Sequence, residues 1–454
     1  MAHHAEVIEE HFEFTPAAKQ KIYILLGIGI LFFAVGLIMA ISGGGEHGGG
    51  HEASLATDHL VASVQQHEAA GGHETTAVGQ HHGSPLWIKR LYTTLWMNNV
   101  YFIGPGLIAI FFIGIHYASQ AGWSVGVTRI ALAMGTWLPV IGILTLILWF
   151  VTKGDIFHWT HADLYAEHGG DKIIKDKAPF FYWPLAGGTF PVFFIFRMVL
   201  FFGLWYWFYT KFRANMLAED LDPSTKYWHA NRGKAAWFLV FFGASSSIAA
   251  WDWVMSIDTH WFSTMFGWYV FASWWVTTLA IITLIAAYLK EAGYLKIVNA
   301  NHLHDLGKYC FAFTIFWTYI WFCQFLLIYY AHIPEETVYF VERMKNSPYQ
   351  WIFYFNVVVN FVLPFLLLMT RDAKRQISTL KLVCPIIIIG HWFDFYNMVT
   401  PGVMQKDGAL GLLEIGTFMI FAAAFLLFVL NSLTKVPLFG KNDPMLEESL
   451  HHHI

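Results

Sequence analysis

Arg197, Asp252, His391, Asp394 and Glu414 lie inside apolar stretches of this chain, and Asp258 lies at the edge of one. A charge held near the centre of a bilayer costs at least about 2.5–3.5 kcal/mol on insertion scales, so such side chains are functional candidates by default. Their spacing narrows the chemistry. His391, Asp394 and Asn397 recur at i, i+3 and i+6 and share one stripe of a helix. Ser245 and Asp252, with Ser246 and Ser247 beside the first, form a similar stripe on another helix. Stripes of this kind suit the wall of a hydrated cavity. A carboxylate–imidazole pair there passes protons, because burial and neighbours move both groups towards the working range. Arg197, Asp252, Asp258, His391, Asp394 and Glu414 are therefore the proton-pathway candidates, with Ser245, Ser246, Ser247, Asn397 and His116 as secondary polar lining. A plainer reading stands beside this one. Arg197 neutralises a carboxylate in a structural ion pair, Asp252 and Asp258 cap helix ends, and the helix histidines are satisfied core residues.

Other chemistries find less support. Haem ligation needs histidines deep in helices, and only His116 and His391 come close. His158 and His161, in "FHWTHADLYAEH", fall just beyond an apolar run. The chain has 3 cysteines, Cys310, Cys323 and Cys384, with no CxxC pattern that would hold an iron–sulfur cluster. Cys310 and Cys323 sit in one predicted helix, roughly 20 Å apart along its axis, and cannot bridge. No GxGxxG, Walker or HExxH pattern appears. We expect no metal and no cofactor on this chain.

The elements that must position these residues follow from composition. The 454 residues are 56% hydrophobic and only 13% charged, with a mean hydropathy of +0.48. A soluble domain is nearer a quarter charged, so the class is an all-α polytopic membrane protein. The net charge of −4 gives no basic surface for nucleic acid. Windows of about 20 apolar residues predict spans at 22–42, 90–118, 128–152, 186–210, 235–257, 263–289, 307–331, 349–370, 379–400 and 409–434. The first is longer than a signal-peptide core and follows Glu6, Glu9, Glu10 and Glu13 rather than a basic region, so it reads as a retained helix. An even number of spans puts both termini on one side. Lys and Arg are in excess in the segments on that side, which predicts cytoplasmic termini (1–21 and 435–454) in a bacterial inner membrane. On that topology the candidate groups all lie between mid-membrane and the periplasmic face, and the cytoplasmic half has no comparable set beyond His116. The segment 43–85, rich in Gly and His and free of Lys and Arg, reads as a flexible periplasmic connector.

Three stretches carry a resemblance. They are "SSSIAAWDWVMSIDTHWFSTMFGWYVFAS" at 245–273, "LGKYCFAFTIFWTYIWFCQFLLIYYAHIPEETVYF" at 306–340 and "IIIIGHWFDFYNMVTP" at 386–401. Together they resemble the ActF component of bacterial alternative complex III, an NrfD/polysulfide-reductase-type membrane subunit of a quinol:cytochrome c or quinol:oxidase oxidoreductase. The similarity extends from the second helix to the tenth. It implies two four-helix bundles, here 86–257 and 258–400, with peripheral first (22–42) and last (401–434) helices. It also implies quinol oxidation, with any bound quinone, at a sister subunit, ActC. An iron–sulfur subunit, c-type haem subunits and in some cases a terminal oxidase would complete the assembly. The chain itself would be a cofactor-free partner holding part of a proton pathway. Asp252, Asp258, His391 and Asp394 fall in the matched stretches; Arg197 and Glu414 do not. Two alternatives stay open: a secondary transporter, although no matched pair of broken helices is evident, and a purely structural subunit.

Overall fold

The apolar runs fold as helices long enough to cross a bilayer, ten of them among the described residues. The computed structural model describes residues 10–43 and 84–453. The Gly- and His-rich segment predicted over 43–85 therefore lies, apart from its ends, outside the described residues. We number the spans α1 (Pro16–Ser42), α2 (Leu86–Ser119), α3 (Gly122–Ile156), α4 (Val192–Glu219), α5 (Lys226–Ile257), α6 (Phe266–Glu291), α7 (Ala300–Ala331), α8 (Tyr349–Leu367), α9 (Ile377–Asp407) and α10 (Leu412–Leu433). Short helices at Lys172–Tyr182 and Pro334–Lys345 both lie at one end of the bundle. No strand forms among the described residues; the sole pairing of that kind is an isolated bridge between His11 and Pro437.

Several helices outrun the apolar windows that predict them. α5 begins at Lys226 rather than 235, since "KYWHANRGK" is rich in helix-compatible Lys, Ala and Arg and extends the helix past its apolar part. α4 begins at Val192 rather than 186, because Gly187, Gly188 and Pro191 hold the chain in turns. The sequence predicts that the ninth span stops at 400, before Pro401. Instead α9 runs through this proline, and the boundary with the last helix shifts to 408–411. Proline has no N–H for the Asn397 carbonyl one turn back. The Arg343 Nε–H donates to that carbonyl at 2.9 Å, so the helix continues.

Two four-helix groups share a seam. α2 packs on α3 and α5, and α4 on α5; α6 packs on α7 and α9, and α8 on α9. The halves join where α2 meets α6 and α9 and where α5 meets α6. Indole N–H groups pin this seam, which is one use of the many tryptophans. Trp274 donates to the Val100 carbonyl at 3.1 Å, and Trp392 to the Asn98 amide oxygen at 3.0 Å. α1 and α10 lie outside the two groups. α1 packs chiefly on α10, and small residues let the backbones close in: a Cβ on Gly36 would sit 2.2 Å from the Leu413 nitrogen, and one on Gly416 2.3 Å from the Phe33 nitrogen.

The two tails meet on the same end of the bundle, as an even span count requires. The Leu438 N–H donates to the Glu10 carbonyl at 2.9 Å. The His452 carbonyl accepts from the side chains of Asn299 and Asn301 at 3.0 and 3.1 Å, and its ring meets Asp305 at 2.6 Å. We call this the termini end.

Candidate proton-transfer site

The intramembrane charges do not form one cluster; they divide into separate pairs. Arg197 on α4 and Asp252 on α5 form a two-pronged ion pair, Nε–Oδ2 2.8 Å and Nη2–Oδ1 2.7 Å, with Arg197 5% and Asp252 1% exposed. Arg197 also donates to the Phe180 carbonyl at 2.6 Å and lies against the Phe180 and Phe193 rings. Every prong of the guanidinium is engaged, which is the geometry of a fixed clasp rather than a mobile carrier. Glu414 is likewise taken up. Its carboxylate receives two bonds of 2.8 Å from Arg90 on α2 and one of 2.7 Å from the Gly411 N–H, closing the first turn of α10. Asp252 and Asp258, read from sequence as possible helix caps, accept from arginines instead and cap no helix with their side chains.

A second cluster has a different character. His391 and Asp394 on α9 are both fully buried. The imidazole and carboxylate stand 3.8 Å apart, beyond hydrogen-bonding distance, so they adjoin without bonding. Each has its own partners from other helices. The His391 Nδ1 meets the Ser273 hydroxyl of α6 at 2.9 Å. The Asp394 carboxylate accepts from the Tyr269 hydroxyl of α6 and from the Trp317 indole of α7, the latter at 2.9 Å. The His391 Nε2 has no hydrogen-bond partner among the described residues.

From Asp394 a polar route runs away from the termini end. Tyr269 borders a cavity of about 10 Å³ shared with Gln324, Tyr339, Arg343 and Asn397. A single water occupies about this volume, and the buried Asn397 Oδ1, unpartnered among the described residues, gives it an acceptor. Across the cavity, Arg343 of the Pro334–Lys345 helix donates to the carbonyls of Tyr339, Asn397 and Met398 at 2.8, 2.9 and 3.1 Å and to Asp258 at 2.9 Å. Asp258 then lines an open cleft of about 1210 Å³, with Tyr339, His260 and Gly402 among its walls. Gly402 is required here, since a Cβ would come within 2.7 Å of the Asp258 Oδ1. Burial pushes the Asp258 carboxyl above its ordinary value, and the Arg343 charge offsets that only in part.

The secondary lining residues scatter. Asn397 joins the route through its backbone and side chain. Ser245 accepts from the Trp205 indole at 2.9 Å, Ser246 is buried, and Ser247 packs against Gly267 of α6. His116 is near the termini end, with its Nδ1 bonded to the Phe112 carbonyl at 2.7 Å and its Nε2 unpartnered among the described residues, bordering a cavity of about 30 Å³ with Asp443.

Two readings from sequence need correction. The termini end does carry a buried charge set. Arg129 of α3 bonds Asp220, the residue just past α4, at 2.7 and 2.9 Å beside Glu219, because α4 runs on to Glu219 past its apolar window. And the partners that define the His391–Asp394 cluster, Ser273, Tyr269, Trp317 and Arg343, lie outside the set of candidates that residue type picks out. The first three are neutral and escape a search for charges; Arg343 sits in "PEETVYFVERMK", which reads as a loop. Among the described residues no three His, Cys, Asp or Glu side chains converge as a metal site. No protein-family model matches the chain, and no curated protein matches it.

Proposed function

We propose that this chain is a proton-conducting membrane subunit of a respiratory quinol-oxidising complex of the alternative complex III type, placed in a bacterial inner membrane with both termini cytoplasmic. The observation that carries the proton part is the route from the fully buried Asp394, through Tyr269, a water-sized cavity and Arg343, to Asp258 at the open cleft. The three ActF-like stretches support the respiratory part, with quinone, iron–sulfur clusters and haems in partner subunits and an ActC-type sister beside this one. Asp394 takes the proton on its carboxylate, and the Tyr269 hydroxyl hands it towards the cavity water. Arg343 carries no proton; its fixed charge favours the ionised Asp258, so a proton that reaches Asp258 is released towards the cleft. The cleft would open to the periplasm.

A scaffold reading is favoured by the Arg197–Asp252 and Arg90–Glu414 pairs, in each of which an arginine holds the carboxylate at 2.7–2.8 Å. We assign those two pairs to structure and keep the route at Asp394 for transfer. Replacing Asp394 by Asn and measuring protons released per quinol oxidised separates the readings. Reduced release with intact assembly supports transfer; unchanged stoichiometry leaves scaffold alone. A secondary transporter would instead purify without haem or iron–sulfur partners.

A further inference from the structure

Glu342 is the residue before Arg343 on the Pro334–Lys345 helix and lines the same cleft as Asp258 and Tyr339. Its setting differs from that of Asp258. Arg343 spends its donors on Asp258 and on the carbonyls of Tyr339, Asn397 and Met398. The bond to the Asn397 carbonyl is demanded by Pro401, which leaves that carbonyl without a helical donor. Glu342 therefore stands beside the guanidinium with no hydrogen bond or ion pair to it, while Asp258 is held.

We propose that Glu342 is a proton-binding site at the mouth of the route, the carboxylate that receives a proton leaving Asp258 and gives it to water in the cleft. The inference rests on the transfer reading above. The step is a proton transfer without electrons: an O–H forms on a Glu342 carboxylate oxygen as one on Asp258 or an intervening water breaks, and is then broken as cleft water takes the proton.

The surroundings fit this role. Asp258 and His260 face the cleft from the segment after α5, and Asp155, His158 and His161 from the end of α3. Lys89 of α2, Tyr349 of α8 and, on its own helix, Glu335, Tyr339 and Arg343 add to the charged and titratable set. Burial pushes the Glu342 carboxyl up to about 7, the Arg343 charge opposing this and Asp258 adding to it. Glu335 lines the same cleft but is exposed, so it serves as an internal control.

The test uses the intact complex in native membranes and dicyclohexylcarbodiimide, which adds to protonated carboxyl groups, with adducts located by peptide mass spectrometry from about pH 5 to about pH 9, a range centred on the raised carboxyl. The expected result is a Glu342 adduct with half-labelling near pH 7, well above that of Glu335. Glu342→Gln is expected to slow proton release roughly tenfold or more, and Glu342→Asp to restore part of it. Glu342 labelling that follows the Glu335 profile, or that is absent throughout, overturns the proposal, as does unchanged proton release in Glu342→Gln. The two readings fail separately. If Asp394→Asn leaves proton release intact while Glu342 titrates near 7, the route from Asp394 falls and Glu342 remains a proton-binding acid.

Discussion

Replacing Arg197 by Met removes the cation from a buried, two-pronged pair and leaves the Asp252 carboxylate, 1% exposed, without its two charged donors at 2.8 and 2.7 Å. Hydrogen bonds to charged groups contribute about 1.5–3 kcal/mol each, and breaking one partner of a buried pair costs about 3–5 kcal/mol. The Phe180 carbonyl also loses its 2.6 Å donor, and the two rings lose their contact with the guanidinium. We expect Arg197→Met to destabilise the chain by about 3–5 kcal/mol. The double variant Arg197→Met/Asp252→Leu should recover most of the loss, since it removes the orphaned charge with its partner. Equilibrium unfolding in mixed micelles measures both. Proton release in the double variant should stay near that of the native protein, because the guanidinium is held at every nitrogen and we assign the pair to structure. A single variant as stable as the native chain refutes the reasoning about the clasp. A stable double variant that no longer releases protons refutes its assignment to structure.

Further outcomes follow from the same geometry. Tyr269→Phe removes one donor from the buried Asp394 and should cost about 1–3 kcal/mol while slowing proton release, with Trp317 still holding the carboxylate; stopped-flow pH-dye measurements and unfolding check both. Arg343→Gln leaves Asp258 unpaired and should cost about 3–5 kcal/mol, and Pro401→Ala, which returns an N–H to the Asn397 carbonyl, should lessen that cost, so a double-mutant cycle should show clear non-additivity. Glu342 is raised from 4.5 to about 7, so its contribution to stability is complete below pH 4.5 and is lost as pH climbs through 7. Unfolding across that same pH window should therefore show a decline on the order of 2 kcal/mol, moderated by its partial exposure to the cleft, that Glu342→Gln abolishes.

Much of the architecture is readable from apolar length alone, because a bilayer demands about 20 residues per span and leaves few alternatives. Helix ends are less readable. The start of α5 at Lys226 lies in polar sequence that no hydropathy window includes, and the passage of α9 through Pro401 depends on Arg343, which reaches the Asn397 carbonyl from 54 residues away. The charged candidates show a similar divide. Their positions inside helices are evident from residue type, but their partners are not. Tyr269 reaches Asp394 across 125 residues and Trp317 across 77, and neither is ionisable near neutral pH. Of the stripe of His391, Asp394 and Asn397, the last two lie along one route and His391 stands beside it, 3.8 Å from Asp394, whereas that of Ser245 and Asp252 divides between an indole and an arginine clasp. One helix's periodicity tells which residues share a face; it does not tell which face of which neighbour they meet.

Proton passage through Asp394, in the half of the bundle away from the tails, is the claim on which the proposed function turns. Proton release per quinol oxidised, measured on the intact complex carrying Asp394→Asn beside the native complex in the same vesicles, addresses it most directly. We expect fewer protons per quinol in the variant with assembly and haem content unchanged. Equal stoichiometry in the two complexes would contradict it.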